Sequence, residues 1–269
     1  MAGWSSELSA RFSEHHETLR GAVRYALVDR QLGEHLPEPP ARVCDVGGGS
    51  GRQSIPLARR GYEVIILDPS GEMLREARKA LASEDKGTRR RVRLVRGAGE
   101  EAPDILGDES FDVVLCHGVL MYLASSEPMI RALAAIARPG AVVSVLFKNA
   151  DALAMRPGFE GRYRDAVAAF GADRDRGGHG MVTRGDTVAS ISGMFREHGI
   201  EPAEWYGVRV LTDHLGDRPP GPDLPEILEM EWEAGRREPY RGVARLGHLI
   251  GSKRRKVRPA EFEDDIRRP

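Results

Sequence analysis

The segment Asp45-Val46-Gly47-Gly48-Gly49-Ser50-Gly51 constrains this chain more than any other. It reads D-x-G-x-G-x-G, and it closes an apolar run, Arg42 to Val46, ahead of a stretch of helical character, Arg52 to Arg60. Alternate glycines let a strand turn sharply into a helix, because glycine has no Cβ and takes up positive φ at no steric cost. The backbone of such a turn lies open to a flat ligand. The dinucleotide fingerprint G-x-G-x-x-G fails here in each register: Arg52 stands where the third glycine belongs after Gly47 and Gly49, and Ser54 stands there after Gly49 and Gly51.

A second apolar run, Tyr62 to Leu67, ends in Asp68, about 20 residues past the glycines, where a carboxylate that takes ribose hydroxyls belongs. Glycine turn and strand-end acid together point to S-adenosylmethionine (SAM) as the ligand. Downstream the pattern keeps alternating. Helical stretches Gly71 to Ala82 and Glu127 to Ala137 separate apolar runs Val92 to Val95, Phe111 to Cys116 and Ala141 to Phe147. Such alternation requires a parallel sheet, and the continuous apolarity of Asp112 to Cys116 and Val142 to Leu146 belongs to strands covered on both faces. The expectation is an α/β, doubly wound, seven-stranded and mostly parallel sheet.

Both ends of the pattern carry additions. An amphipathic helix over Glu7 to Leu36, stopped by Pro37 to Pro40, makes residues 1–40 an N-terminal cap on a core at 41–150. The rhythm breaks at 151–185, expected as a lid with a helix around Arg162 to Phe170 and a charged, Gly-rich loop over Asp173 to Gly180. It resumes in 186–252 with helix Thr187 to His198 and strand Glu204 to Leu211. A second insertion at 213–241 holds a helix from about Glu226 to Arg236, and Val243 to Gly251 is expected as a last strand antiparallel to Glu204 to Leu211. Residues 253–269 read as a charged tail.

Composition narrows the function. With 40 Lys and Arg against 41 Asp and Glu in 269 residues, no overall field drives the chain onto nucleic acid or an anionic membrane, so any RNA contact is local. The two cysteines, Cys44 and Cys116, sit in apolar runs, which gives no support to a disulfide scaffold or a metal site and suits a cytosolic protein. No run of about 18 apolar residues is present to span a membrane.

Ligands of open α/β sheets lie beyond the carboxyl ends of the strands. Those ends supply Asp45, Gly47, Gly48, Gly49 and Gly51 for the methionine moiety, Asp68 for the ribose, Gly99 and Glu100 for the adenine, and His117 for the sulfonium end or the acceptor; Lys148 and Asn149 face the lid. No Asp/His or Tyr/Lys base constellation stands out. The C-terminal half offers cations instead, Arg209, Arg236, Arg237, Arg241 and Arg245, and guanidinium forks suit carboxylates and phosphates.

The chain resembles the tRNA carboxymethoxyuridine methyltransferases along nearly its whole length. The resemblance rests on Phe12, Gly21 and Arg24; on Leu146 to Ala150; on Gly207 to Val210; and on Glu238, Pro239 and Tyr240. It implies SAM as methyl donor and methyl esterification of a carboxymethoxy group on a wobble uridine of tRNA. By matching position it implies Arg24 on the methionine carboxylate, His117 as the far wall, and Arg209 and Tyr240 on the substrate side. One departure is plain. Where members of that family carry a lysine run, Asp173 to Arg184 mixes Asp, Arg, Gly and His. A small-molecule carboxylate, amine or hydroxyl acceptor, or SAM binding without transfer, therefore stand as alternatives.

Overall fold

The computed structural model describes residues 17–176 and 182–255. The first part of the expected Glu7 to Leu36 helix, Phe12, the loop positions 177–180 and the tail from Lys256 lie outside the described residues. Seven strands form the main sheet: β1 (Arg42–Val46), β2 (Glu63–Asp68), β3 (Val92–Arg96), β4 (Phe111–His117), β5 (Ala137–Lys148), β8 (Ile200–Val208) and β9 (Leu246–Lys253). Their order is β3-β2-β1-β4-β5-β9-β8. β1 to β5 are parallel, and β9 runs antiparallel between β5 and β8, so the expected doubly wound, mostly parallel sheet is the one observed.

Alternation along the strands builds a core on each face. Cys44 and Val46 of β1 point with Val114 and Cys116 of β4 into one layer, packed by Met129, Ile130 and Leu133 of α6 (Glu127–Ile136) and Phe195 of α9 (Val188–Glu197). Val43, Ile66, Val113 and Leu115 point the other way, under Leu57 of α2 (Ser54–Arg59) and Leu74 of α3 (Gly71–Ala82). A third cluster covers the β5-β9-β8 end. There α1 (Leu19–Gly33) lays Leu19, Val23 and Leu27, spaced four apart, against Leu146, Val208 and Leu246, alongside Trp232 of α10 (Leu224–Gly235). Cys44 and Cys116 are buried free thiols.

Several boundaries differ from the expectation for local reasons. The short helices α4 (Lys86–Arg90) and α5 (Ala102–Leu106) carry too few turns to show a periodicity, although Asp85 caps the first through its side chain. β5 begins at Ala137, where helix was expected to end, because Ala137 pairs with Phe111. β8 stops at Val208 and not Leu211, because Arg209 turns the chain with φ 60°. The lid holds α7 (Met155–Phe159), α8 (Tyr163–Ala169) where a helix around Arg162 to Phe170 was expected, and β6 (Arg174–Arg176), inside the expected loop Asp173 to Gly180, paired antiparallel with β7 (Val182–Arg184). Arg184 and Asp186 tie that hairpin to the core: Ser126 Oγ donates to Asp186 at 2.8 Å, and Arg184 reaches both. No described helix is long and apolar enough to cross a membrane.

Candidate active site

β1 connects outward to β2 and β3, and the chain then returns across it to β4, so a crevice opens between the carboxyl ends of β1 and β4. The glycine turn forms its floor. Gly47 N donates to Leu67 O at 2.7 Å, and Gly49 N donates to Asp68 Oδ2 at 2.9 Å, which fastens the turn to the end of β2. Gly47, Gly49 and Gly51 all have positive φ, and a Cβ at Gly47 would lie 2.3 Å from Val119 Cγ2. A Cβ at Gly48 would meet Asp45 Oδ2 at 2.6 Å.

The carboxylates beneath this floor differ in what they have left to offer. Asp45 is buried and accepts from Ser54 Oγ; burial pushes its carboxyl up to about 6. It supports the turn from below. Asp68 accepts from Gly49 N and, at 2.8 Å, from Ser70 N. A carboxylate has about four acceptor positions, so Asp68 keeps capacity for two hydroxyl donors at the end of β2. Gly99, in the 3-10 turn Gly99–Glu101 after β3, lies so close to Val46 and Met129 that a Cβ would come within 2.6 Å of both. Glu100 beside it is half-buried.

Arg24 of α1 closes the crevice at the β4 side. Its Nη2 donates to His117 O at 3.0 Å and would lie 2.8 Å from a Cβ on Gly118. A bare peptide floor, a diol-matching carboxylate and a guanidinium at the rim fit the adenosine and amino-acid parts of SAM. Nine of the ten residues expected around the cofactor thus stand at or just after the ends of β1 to β4, and the tenth, Arg24, reaches them from α1.

A second cluster lies on the lid side of β5. Arg209, Arg245 and Lys148 are each less than a tenth exposed, and two carboxylates face them, Asp213 and Asp175. Arg245 Nη2 donates to Asp175 Oδ2 at 2.8 Å, and Arg209 Nε stands 3.4 Å from Asp213 Oδ1. Lys148 Nζ donates to Thr183 Oγ1 at 2.6 Å. Burial and the nearby Arg245 pull the Lys148 ammonium down to about 7, and burial lowers Arg209 to about 10. Arg245 Nη1 and Arg209 Nε have no hydrogen-bond partner among the described residues. Arg209, Arg245, Arg156, Asp213, His214 and Phe159 line a pocket of about 260 Å³, counting its open mouth.

Two residues that sequence reasoning passed over position this cluster. Glu231 of α10 is fully buried, and its carboxylate accepts from Val210 N (2.7 Å), Leu211 N (3.0 Å), Thr212 N (2.8 Å) and Thr212 Oγ1 (2.5 Å). It clasps the segment directly after Arg209. Arg20 of α1 donates twice to Asp213 O, at 3.0 and 2.7 Å, and at 3.0 Å to Asp217. A buried acid or base in an otherwise apolar helix stripe is the only local signal either leaves.

Other expected members fall elsewhere. Arg237 pairs with Glu233 at the surface, Arg236 lies over the Trp232 ring, and Arg241 binds Glu238 and Glu204 and covers Trp205. Asn149 is buried and its amide is taken up by the backbone: Nδ2 donates to Gly242 O and Ala244 O, and Oδ1 accepts from Asp151 N. Tyr240 sits half-exposed in the 3-10 turn Tyr240–Val243, outside the pocket lining. Among the described residues no group of His, Cys, Asp or Glu is arranged to hold a metal ion.

Comparison with known proteins bears on the fold and the cofactor. Residues 44–145 match a family model described as a methyltransferase domain. The tRNA 5-carboxymethoxyuridine methyltransferase of Escherichia coli K12 is 30% identical over 253 residues, 92% of this chain and 95% of that protein. The ubiquinone biosynthesis O-methyltransferase of Hahella chejuensis is 34% identical over 139 residues, 51% of this chain and 52% of that one. Among solved structures, the magnesium protoporphyrin IX methyltransferase of Synechocystis PCC 6803 with bound SAH superposes with a TM-score of 0.64 at 17% identity, covering 93% of this chain and 96% of that chain, a likeness of fold. This chain is a SAM-dependent methyltransferase, and it belongs to the family that contains the tRNA 5-carboxymethoxyuridine methyltransferase of Escherichia coli.

Proposed function

We propose that this enzyme methylates the carboxylate of 5-carboxymethoxyuridine at the wobble position of tRNA, in the cytoplasm. The observation that carries the reading is the buried cluster of Arg209, Arg245 and Lys148 about Asp213 and Asp175, of which Arg209 and Arg245 line the pocket. Such a pocket selects an anion, and a carboxylate acceptor is already ionised at neutral pH and needs no base. The name of the Escherichia coli relative supplies the identity of that anion.

Bound SAM supplies an electrophilic methyl group on a sulfonium. The residues of the chain do the rest by placement. Arg209 and Arg245 hold the acceptor carboxylate, one of whose oxygens takes the methyl group as the S–C bond breaks and its electron pair stays on sulfur. No proton moves. Alignment and exclusion of water of this kind lower a barrier by roughly 7–11 kcal/mol. Lys148, held by Thr183 and Asp175, adds charge to the cluster from behind the pocket lining. Asp68 and Arg24 hold the two ends of the cofactor, with Asp45 supporting the glycine turn, Gly99 and Glu100 lining the adenine side, and Tyr240 at the outer edge of the acceptor entrance.

In this reading 151–185 and 213–241 are the two insertions that wall the acceptor side, and 1–40 is the cap. The lid offers a surface for an unstacked anticodon loop. Phe159, Tyr163, Val167 and Phe170 are 60 to 82% exposed along α7 and α8, and Phe159 also lines the pocket. Single-stranded loops are read by stacking their bases on such side chains.

The test is a methyl-transfer assay with purified protein, SAM and tRNA carrying the free acid, read by mass spectrometry of the nucleosides. Appearance of the methyl ester supports the proposal. Transfer to small carboxylates with none to that tRNA would move the acceptor to a metabolite, and SAM binding without any transfer would leave a binding protein.

A further inference from the structure

Behind His117 runs a line of buried polar groups that the reaction does not use. The strand register places His117 of β4, Leu146 of β5, His248 of β9 and Tyr206 of β8 in one row on one face of the sheet, with Ser144 two residues before Leu146 on that face. α1 covers the row, and Gln31 follows Leu27 by one turn in the stripe that lies against the sheet. Gln31, Ser144 and His248 are fully buried. His117 Nε2 lies 2.8 Å from Ser144 Oγ, Ser144 Oγ lies 2.7 Å from His248 Nε2, and His248 Nδ1 lies 2.8 Å from Gln31 Oε1.

Proton counting gives this line a direction. Gln31 Nε2 donates to Gly207 O, a carbonyl that can only accept, so Oε1 faces His248. His248 Nδ1 must then carry the proton. Burial holds His248 down at about 3, so the ring is neutral and its Nε2 is bare. Ser144 has one proton, and donating it to His248 leaves Oγ as acceptor toward His117. His117 Nε2 therefore carries a hydrogen, and the neutral His117 ring, kept well below the usual histidine range by burial, has no proton on Nδ1. That nitrogen is buried with no partner among the described residues. A bare lone pair also suits the neighbouring Arg24 guanidinium, which an N–H would oppose.

We propose that Gln31, His248 and Ser144 are positioning residues that fix His117 as its Nε2–H tautomer, presenting Nδ1 as a hydrogen-bond acceptor at the cofactor end of the site. Its complement is an N–H donor carried beside a carboxylate, and the α-ammonium of SAM has that chemistry next to the group Arg24 would hold.

The full-length chain labelled with 15N-histidine provides the test, with long-range 15N–1H spectra of the imidazoles and His117→Gln to assign the signal. The expected result is a protonated Nε2 and a bare Nδ1 on His117 without SAM, with Nδ1 shifting toward the hydrogen-bonded position when SAM is added. Ser144→Ala should give a mixture of tautomers and weaken SAM binding about tenfold by calorimetry. His248→Gln keeps a donor for Gln31 and an acceptor for Ser144, and should retain the parent spectrum and affinity. A protonated Nδ1 in the parent protein, or Ser144→Ala with tautomer and affinity both unchanged, would overturn the proposal. Should Ser144→Ala not fold, the parent spectra decide alone, and an Nδ1 indifferent to SAM counts against it.

Discussion

The cofactor crevice and the acceptor pocket are built from different materials. The crevice is floored by backbone: Gly47 to Gly51, Gly99 and Gly118 approach neighbouring side chains so closely that a methyl group would collide at most of them. The pocket is lined by charged side chains, Arg209 from the turn after β8 and Arg245 from the residue before β9, with Lys148 at the end of β5 behind them. A backbone site must be encoded locally, since only a short glycine-rich stretch can hold that path. A side-chain site can be drawn from anywhere that the fold brings together. The first therefore tolerates almost no substitution but is easy to see, and the second is hard to see and adjustable.

Four measurements would break or sharpen this contrast. The largest effect belongs to the crevice: Gly47→Val puts a branched side chain at φ 75°, against Val119, and should abolish SAM binding in calorimetry. Retained affinity would mean that the turn can be rebuilt and that the backbone is not what limits it. Next, Arg209→Ala should cut turnover on the order of a hundredfold, the scale of a misplaced acceptor, and leave the dissociation constant for SAM within about twofold. Equal losses in both would show the two regions to be one unit.

Asp45→Asn examines the support beneath the crevice. A carboxyl raised to about 6 in the folded chain binds a proton more tightly there than in the unfolded chain, so its stabilising contribution is complete below about pH 4 and lost as pH rises through 6. The parent protein should show up to about 3 kcal/mol of that loss in chemical denaturation between pH 4 and 7, and Asp45→Asn should flatten the slope. Identical slopes would place the ionised carboxylate in a better-solvated setting. The smallest effect belongs to Arg237→Ala, whose exposed pair with Glu233 predicts a stability change within about 0.5 kcal/mol and unchanged turnover.

What could be read from sequence follows the same division. The strands with continuous apolar runs, the glycine turn and Asp68 all carry local patterns, and the sheet they imply is the sheet observed, including the antiparallel last strand. Of the five arginines picked from the C-terminal half, only Arg209 and Arg245 enter the pocket lining, because a lone Arg in a sequence looks the same whether its partner is an exposed Glu233 or a buried Asp213. Glu231 and Arg20 leave only a charge in an apolar helix stripe as a signal, and its meaning depends on α10 and α1 meeting at the same strand end. The Asp173 to Gly180 stretch read as loop because its charges hide the pairing of Arg174 to Arg176 with Val182 to Arg184.

The clasp of Glu231 on the amides of residues 210–212 has a consequence for altering this enzyme. The turn that aims Arg209 has its anion on another helix, so a graft of residues 209–213 from a relative with different acceptor preference would arrive without its anchor. The transferable module is discontinuous: the turn and the middle of α10 must travel together, and a shuffled library that cuts between them should lose folded members before it loses specificity.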